Sequence, residues 1–515
     1  MAKRKREEES AVTETPSSKK PPVVDRSNGY ASQGSSSLQL ITGSYDRVLH
    51  GIIATIPGPG SKSDNVHFQD NFLFNAHSSA IRCLALSPLS SKDGPRSDKL
   101  ILATGGTDEK VNLYSVSTCL PDVPSLSSIV SVSSLENPKN KELGSLLHHD
   151  SSVNVLYFPT KGKLISASDD NTIAISRTRD WTLLSSIKAP IPKTPGRPSG
   201  DTAPLGGAPS GINDFAVHPS KRLMISVGKG EKCMRLWNLV TGKKASVLNF
   251  ERDLLQGVGE GKRSKGEGQK VVWNTAGDEF AVAFERGVAV FGMDSKVKCV
   301  AVPDPATKVH GIAYMTYESS AIAQSLLSIS TEDGRLLFYA TEISKPAATD
   351  DAATHELPTA RLRGQLGGQT AGVEGRIKDF RTIPSDESQL ESKIIITAGS
   401  NGIVRIWRVD HKELVLMSPT QSDCHGDATD ATTKKGPSDV VQIGVLLGKY
   451  NTNNRITCLE AFRLYRATEN ANGMEIPNAL HRDAREELSD GAASDDKELE
   501  EEERGKEDDA FQGFD

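Results

Sequence analysis

Several features are scarce or missing in this sequence, and their absence narrows the possible folds. Aromatic residues account for only 5% of the 515 residues. No run of about 18 apolar residues occurs, and the N-terminus is charged, so we expect neither a membrane-spanning segment nor a secretory signal. No CxxC pair exists, which argues against a zinc site and predicts buried thiols in a reducing compartment. The six cysteines are Cys83, Cys119, Cys233, Cys299, Cys424 and Cys458.

Motifs of known catalytic chemistry are also missing. The sequence contains no G-x-S-x-G nucleophile elbow, no H-E-x-x-H metal motif and no P-loop. The stretch His148-His149-Asp150 resembles part of a catalytic triad, but a buried structural histidine is the better interpretation of His149. We therefore expect no catalytic residue, no cofactor and no metal site, and the protein is predicted not to be an enzyme.

Glycine and proline, by contrast, are plentiful at 44 and 26 residues, and a short pattern recurs along the chain. In each copy an apolar strand ends in a small or hydroxyl residue, a turn with Asp, Asn or Gly follows, and a second apolar strand begins. Most copies follow another strand that ends near a proline, and one more short strand comes after. Four strands per unit are typical of a propeller blade. The seven copies are Leu40–Ile52, Leu100–Tyr114, Leu164–Ile175, Leu223–Trp237, Glu279–Phe291, Leu326–Tyr339 and Ile394–Trp407.

The two ends of this pattern complement each other. The first copy lacks its leading strand, because the residues before Leu38 are polar, and a leading-type strand at Arg455–Phe462 is left over. We expect the C-terminal strand to complete the first blade and close the ring, which removes exposed sheet edges. The sequence therefore predicts an all-β, seven-bladed β-propeller over residues 37–466.

Charged tails flank the predicted propeller. Residues 1–36 form a basic tail, predicted to be disordered, whose clusters are typical of a nuclear localisation signal. Residues 467–515 form an acidic tail: the stretch 482–515 has a net charge of −10, and the rest of the chain +4. Blocks of like charge stay disordered, and this one would serve either solubility or the binding of basic proteins. The basic clusters consist of Lys3, Arg4, Lys5 and Arg6, and of Lys19 and Lys20.

Long insertions interrupt the repeat, and their Ser-, Pro-, Gly- and Asp-rich compositions are typical of disordered loops. They are predicted near 119–143, 189–210, 256–268, 343–359 and 417–438.

The turns match WD40 repeats in part. WD40 blades often contain a buried hydrogen-bond chain of His, Ser or Thr, Asp and Trp, in which a histidine satisfies the turn aspartate. No WD dipeptide is present, and blade four has Gly230-Glu231 where one aspartate is usual. Residues at the positions of this chain are His77, Thr104 and Asp108 in blade two, His149, Ser166 and Asp170 in blade three, Ser226 and Trp237 in blade four, and Thr397 and Trp407 in blade seven.

Several longer segments resemble one WD40 family, the PAK-interacting proteins, whose fungal members are ribosome-assembly factors of the maintenance-of-killer type. The most specific stretch is Leu147–Leu183, since a generic repeat requires neither HHD nor RDW. The resemblance implies a nucleolar factor in assembly of the large (60S) ribosomal subunit, and also negative regulation of a Cdc42/Rac-dependent, p21-activated kinase. Matching segments are Ile41–Gly51, Phe74–Pro88, Thr104–Asn112, Leu147–Pro159, Leu164–Thr172, Arg179–Leu183 and Ala216–Leu239.

One rim of the ring is the predicted partner-binding surface, because residues just before or within the blade turns should point outward there. We expect it to hold pre-60S ribosomal proteins or assembly factors, with contacts to pre-rRNA phosphates from Lys and Arg. The basic clusters favour this nuclear and nucleolar role over a kinase adaptor, which stays the alternative. For any single residue, an ordinary solvated turn is the competing interpretation. The predicted rim residues are Tyr45, Arg47, Thr107, Asp169, Lys229, Glu332 and Ser400.

Overall fold

Seven antiparallel sheets of four strands each form a closed ring in the computed structural model. The seven-bladed β-propeller predicted from the sequence is thus confirmed. Both tails and the larger part of four predicted insertions lie outside the described residues. The structure describes residues 35–58, 65–88, 99–120, 140–191, 210–262, 264–319, 322–342, 357–384, 392–415 and 441–465.

Each blade runs from an inner first strand, which contacts the first strands of both neighbours, to an outer fourth strand. Blade one contains β28 (Ile456–Leu464), β1 (Ser36–Ser44), β2 (Val48–Ile56) and β3 (His67–Asn75). Blade two contains β4 (Ile81–Leu86), β5 (Lys99–Gly106), β6 (Val111–Ser117) and β7 (Lys141–Leu146). Blade three contains β8 (Val153–Thr160), β9 (Lys163–Ser168), β10 (Thr172–Arg177) and β11 (Leu183–Lys188). Blade four contains β12 (Ile212–Val217), β13 (Leu223–Gly228), β14 (Cys233–Asn238) and β15 (Lys243–Asn249).

The remaining blades follow the same plan. Blade five contains β16 (Lys270–Trp273), β17 (Glu279–Ala283), β18 (Val288–Gly292) and β19 (Val297–Ala301). Blade six contains β20 (Val309–Ser319), β21 (Ile322–Thr331), β22 (Arg335–Ala340) and β23 (Arg361–Gly367). Blade seven contains β24 (Ile377–Pro384), β25 (Ser392–Gly399), β26 (Ile403–Asp410) and β27 (Val445–Asn451).

Helical structure in the described ranges is limited to short connections. These are α1 (Arg252–Gly257), α2 (His411–Val415) and a 3-10 turn at Gln369–Ala371. None of these described helices has the length and apolar composition needed to cross a membrane.

The ring closes through the C-terminal strand, as the leftover leading strand predicted. β28 pairs antiparallel with β1, from Ser37 opposite Leu464 to Ser44 opposite Ile456. The hydroxyl of Thr457 also lies 3.0 Å from the carbonyl of Gly43, 414 residues earlier in the chain. The edge of β1 is therefore paired by the last strand of the ring.

The hydrophobic core is divided among the junctions between blades. Seven buried apolar clusters occur, one at each junction, because each sheet packs a face on each neighbour. The largest fully buried side chains include Phe284 and Phe291 in blade five and Phe338 in blade six. The five described cysteines are buried as well, and burial raises the pKa of the Cys299 thiol to about 12.

The predicted insertion near 256–268 was expected to be disordered, but its described part packs against the propeller. Its described part follows α1, whose Leu254 and Leu255 are buried at the junction of blades four and five. Glu260 is also buried, and its carboxylate accepts a 3.1 Å hydrogen bond from the backbone N–H of Arg286. The polar composition concealed this packing, because the segment is anchored by only a few apolar side chains, Leu254, Leu255 and Val258.

Candidate functional site

The seven turns between the second and third strands of the blades lie on one face, which we name the turn rim. In six blades, the residue that follows the second strand donates its backbone N–H to a carbonyl just before a first strand. This repeated bond fixes the turns relative to the innermost strands while leaving the turn side chains at the surface. The bonds join Tyr45 to Arg455, Thr107 to Ala80, Asp169 to Ser152, Lys229 to Gly211, Glu332 to Lys308, and Ser400 to Arg376, at 2.8–3.0 Å.

The predicted rim residues therefore occupy equivalent places, but their exposures differ. Tyr45 is 59% exposed, and the guanidinium of Arg455 lies 5.3 Å from the centre of its ring. Arg47, two residues on, is exposed with a φ of 71°, in the left-handed region. Blade one thus presents an exposed aromatic ring and two exposed arginines at the rim, a combination common in binding surfaces.

The other predicted rim residues are engaged in contacts between or within blades. The carboxylate of Asp169 pairs with the ammonium of Lys229 in the next blade. Glu332 lies 3.8 Å from Arg376 across the junction of blades six and seven, and Arg376 also donates to the hydroxyl of Ser400 at 3.2 Å. These contacts leave Tyr45 and Arg47 as the rim residues most available to a partner.

Thr107 is fixed by a neighbouring turn, since its hydroxyl lies 2.5 Å from that of Ser79. The pattern search missed Glu285, the corresponding rim residue of blade five, because its turn contains no Asp or Asn. Its carboxylate accepts a hydrogen bond of 3.0 Å from the ammonium of Lys308.

Two blades contain a buried histidine between a turn aspartate and a strand hydroxyl. In blade two, Nδ1 of His77 lies 2.9 Å from Asp108 and Nε2 lies 2.7 Å from Thr104. Burial disfavours the charged form of Asp108, but hydrogen bonds from His77 and Ser78 outweigh it and lower the pKa of Asp108. The histidine therefore joins the turn to the sheet beneath it.

Blade three repeats this arrangement. Nδ1 of His149 lies 3.0 Å from Asp170, and Nε2 lies 2.7 Å from the hydroxyl of Ser166. Burial would raise the pKa of Asp170, but hydrogen bonds from His149 and Thr172 lower it to about 2. Both ring nitrogens of His149 are thus used within the blade, and neither faces a nucleophile in open solvent.

The tryptophan that ends the WD40 hydrogen-bond chain is present in blades four and seven. The indole N–H of Trp237 donates to Ser226 at 2.8 Å, and that of Trp407 donates to Thr397 at 3.1 Å. No group of three His, Cys, Asp or Glu side chains in the described ranges is arranged to hold a metal ion.

Blade four replaces the usual turn aspartate with a different ion pair. The carboxylate of Glu231 accepts two short hydrogen bonds from the guanidinium of Arg235, a bidentate arrangement. Gly230 has a φ of 70°, and its backbone N–H donates to Glu267 at 2.7 Å. An arginine on the third strand therefore pairs with the carboxylate of the turn, as the histidine does in blades two and three. The sequence pattern did not identify this replacement.

Comparisons with known proteins agree with this architecture. A family model described as "WD domain, G-beta repeat" matches residues 69–115 and 140–175, which include the two histidine-containing turns. The chain is 22% identical over 424 residues to "p21-activated protein kinase-interacting protein 1-like" of Danio rerio, covering 82% of this chain and 80% of that protein. It is 26% identical over 406 residues to "Protein MAK11" of Saccharomyces cerevisiae, covering 74% and 80%.

The chain is thus similar to WD40 proteins of the PAK-interacting kind, which include the fungal MAK11. A further relative, "Shk1 kinase-binding protein 15" of Schizosaccharomyces pombe, is 25% identical over 211 residues, covering 41% of this chain and 46% of that protein. The WD40 propeller and these relatives support the role of an adaptor that binds other proteins. The turn rim, where each blade presents a turn on the same face, is the candidate site for such binding.

Proposed function

We propose that the protein is a non-enzymatic scaffold that holds ribosomal proteins or assembly factors on precursors of the large (60S) ribosomal subunit in the nucleolus. The turn rim supports this role because seven rigid sheets fix its positions and leave Tyr45 and Arg47 exposed. Aromatic and arginine side chains contribute most of the energy at protein interfaces. Binding to such a surface needs little reorganisation of the scaffold.

The observation that favours ribosome assembly is the pair of basic clusters near the N-terminus, Lys3–Arg6 and Lys19–Lys20. Clusters of this type are recognised by nuclear import, and a scaffold confined to the cytoplasm has no use for them. A fluorescent fusion of the full chain should accumulate in nucleoli. Replacing both clusters with serine should move the fusion to the cytoplasm, whereas an unchanged location would remove this support.

The central test is sedimentation of the tagged protein in a sucrose gradient of nuclear extract. Co-sedimentation with large-subunit precursors, with their rRNA recovered on purification, is the expected result. A protein that sediments only in free form, or together with a kinase, would contradict the assembly role.

A rim variant makes the same experiment specific. We expect Tyr45→Ser with Arg47→Asn to shift the protein out of the precursor fractions by about tenfold or more, because hot-spot residues contribute about 2 kcal/mol each. Asparagine is chosen since it tolerates the positive φ of Arg47.

The matched control is Tyr157→Ser with Arg179→Ser, which removes the same residue types from the opposite rim of blade three. Both control side chains are exposed, at the end of the blade that carries the turn between β8 and β9. The control should sediment as the unchanged protein does. Equal loss in the two variants would show that the turn rim is not the binding surface.

A second candidate function is that of a signalling adaptor that binds and inhibits a p21-activated kinase. Its support is the names of two relatives, which describe a p21-activated kinase-interacting protein and a Shk1 kinase-binding protein. Purified full-length protein would be added to a Cdc42-activated kinase in an activity assay. Inhibition by the protein, lost in the Tyr45 and Arg47 variant, would favour the adaptor; unchanged kinase activity would exclude it.

A further inference from the structure

The innermost strands share an irregularity where they leave the turn rim. In six blades the register between the first and second strands shifts by one residue, which leaves one extra residue on the first strand. A bulged residue takes no part in the regular ladder, so its side chain can be directed elsewhere. We name these residues the bulge ring; they are Thr457, Arg82, Asn154, Asn213, His310 and Lys378.

Four members of the bulge ring connect neighbouring blades. The hydroxyl of Thr457 donates to the carbonyl of Ile81 at 2.7 Å, and Arg82 donates to the side-chain oxygen of Asn154 at 3.1 Å. Asn154 in turn donates to the carbonyl of Ile212 at 2.9 Å. Asn213 continues the series by donating to a carbonyl of the next blade at 2.8 Å. Polar side chains at the bulge thus have a structural use in blades one to four.

The last two members of the bulge ring have no such use. No hydrogen-bond or ion-pair partner is found for Lys378 within the described ranges of the chain. Nε2 of His310 is buried and likewise has no partner there. Buried polar atoms are normally paired, so the unpaired Nε2 of His310 marks a place that a bound molecule or water would complete, next to the half-buried Lys378.

Positive charges converge around Lys378. Arg82 and Lys378 are the bulged residues of blades two and seven, and Lys270 begins the first strand of blade five. Arg376 and Arg455 directly precede the first strands of blades seven and one, where their carbonyls accept the hydrogen bonds of the turn rim. All five residues thus lie at the rim ends of innermost strands, around the central channel of the propeller. In agreement with this placement, burial lowers the pKa of Lys378, and the charges of Arg376, Arg82, Lys270 and Arg455 lower it further. We name Arg82, Lys270, Arg376, Lys378 and Arg455 the basic mouth.

Carboxylates on the same rim do not neutralise the basic mouth. Asp169 pairs with Lys229, and Glu285 pairs with Lys308. Among the described residues, two mouth side chains approach a carboxylate: Arg376 lies 3.8 Å from Glu332, and Lys270 lies 3.9 Å from Asp214. The carboxylate of Asp46 accepts a hydrogen bond of 3.2 Å from the backbone N–H of Arg455.

Within the described residues, Arg82, Lys378 and Arg455 have no carboxylate at ion-pair distance. Like charges held together repel one another, and an anionic ligand would relieve that repulsion.

We propose that the basic mouth binds the phosphate backbone of single-stranded RNA, with Tyr45 stacking a base beside it. The chemistry of single-strand binding is a positive groove for phosphates next to an aromatic ring for bases. Tyr45 provides that ring, because it is exposed and adjoins the mouth through Arg455. An acidic peptide such as polyglutamate would use the cations, but its side chains carry no ring that could stack on Tyr45.

The shape of the cluster favours a single strand over a duplex. Cations from several blades face one opening, and a flexible single strand can bend its phosphates into that opening. This inference rests on the proposed function in a pre-ribosome, and it assigns the pre-rRNA contacts expected from the sequence to named cations on the same face that holds proteins.

Fluorescence anisotropy of a labelled oligouridine of about 12 nucleotides, titrated with the full-length protein at several salt concentrations, tests the proposal. Arg82→Ser with Lys378→Gln should weaken binding about tenfold or more and reduce the slope of log K against log salt by about 1.4. Tyr45→Leu should weaken binding by about tenfold, the contribution of one stacked base.

Lys243→Ser with Lys244→Ser is the matched control, since it removes two exposed positive charges from the outer strand of blade four. Its affinity and salt slope should equal those of the unchanged protein. If the mouth variant binds as the control does, or if binding depends on the N-terminal cluster Lys3–Arg6 instead, the proposal is wrong. Arg82→Ser with Arg455→Ser, both at exposed positions, replaces the first variant should Lys378→Gln not fold.

Competition and sedimentation separate the remaining outcomes. Polyglutamate should displace the labelled RNA less effectively than unlabelled oligouridine does. Equal displacement by the two competitors would assign the mouth to an acidic peptide and overturn the proposal. If the protein co-sediments with precursors while the mouth variant binds RNA normally, the RNA site is wrong and the scaffold role stands. If the mouth binds RNA but no precursor is recovered, the RNA site stands and the assembly role fails.

Discussion

His149 illustrates how a residue that resembles part of a catalytic triad is used to support a turn. Its two ring nitrogens contact Asp170 and Ser166, and its side chain is buried. This series of hydrogen-bonded side chains could be identified from the sequence, because all its members belong to one blade and their spacing is set by a hairpin. The Glu231–Arg235 pair, in contrast, solves the same problem with different chemistry, and no spacing rule predicted it.

We expect His149→Ala to lower the free energy of unfolding by about 2 kcal/mol, because it leaves a buried hydroxyl and a turn carboxylate without their partner. The control is His67→Ala, at an exposed position, which should change stability by less than about 0.5 kcal/mol. Urea unfolding of both variants measures the difference. Equal stabilities would show that the histidine chain contributes nothing.

His310 predicts a dependence of stability on pH. Burial, and then the charges of Lys378, Arg376 and Lys308, lower the pKa of His310 from 6.5 to about 4. Between these two values the unfolded chain takes up a proton that the folded protein does not. The stability due to a neutral His310 is therefore complete above pH 6.5 and declines as the pH falls toward 4.

Urea unfolding from about pH 7.5 to about pH 5 compares the protein with His310→Asn, in which the side chain cannot titrate. We expect the unchanged protein to lose more stability than the variant over this range. Parallel curves would mean that the proton affinity of His310 is the same in both states.

At the scale of the element, the decisive strand is β28. The sequence predicted it because a leading strand was missing at one end and present at the other, and the pairing of β28 with β1 confirms that inference. The short strand β16 and helix α1 were not predicted, since four and six residues are too few to show a periodic pattern. The basic mouth was not predicted either, because its residues come from blades that are distant in sequence.

Ending the chain after Asn454, which removes β28, should give an insoluble product. The reason is that β1 would present an unpaired edge next to the buried side chains of Leu38 and Leu40. Ending it after Ala467 keeps β28 and should preserve solubility and the far-UV circular dichroism spectrum.

A rearranged chain tests whether β28 must come last in the sequence or only has to be present. Residues 455–465, moved ahead of Ser36 through a flexible linker, should restore a soluble ring to the shortened protein. A shortened chain that is soluble and folded without this addition would show that closure is dispensable.

At the scale of the whole molecule, stability is shared around the ring. Every blade contributes to two of the seven apolar clusters, so no blade has a core of its own. Loss of packing at one junction should therefore affect the entire propeller, in contrast to a chain of independent domains.

Ile52→Ala tests this coupling, because Ile52 is fully buried between blades one and seven, in a cluster without tryptophan. We expect it to lower the free energy of unfolding by about 3 kcal/mol. Tryptophan fluorescence, to which Trp237 and Trp273 across the ring contribute, should show the same shift in midpoint as circular dichroism. Ile191→Ala, at an exposed position, is the control. A shift seen by only one of the two probes would indicate blades that unfold separately.

The closing strand also links folding to the completion of protein synthesis. β1 leaves the ribosome early, but its partner is translated some 400 residues later, so the first blade waits with an open edge while the other six are made. A nascent chain cannot close the propeller until Leu464 has left the ribosome. If translation stops before that point, the edge of β1 stays unpaired permanently. Such an edge would expose incomplete chains to chaperones and proteases, so that only a fully translated protein would present the surface that partners bind.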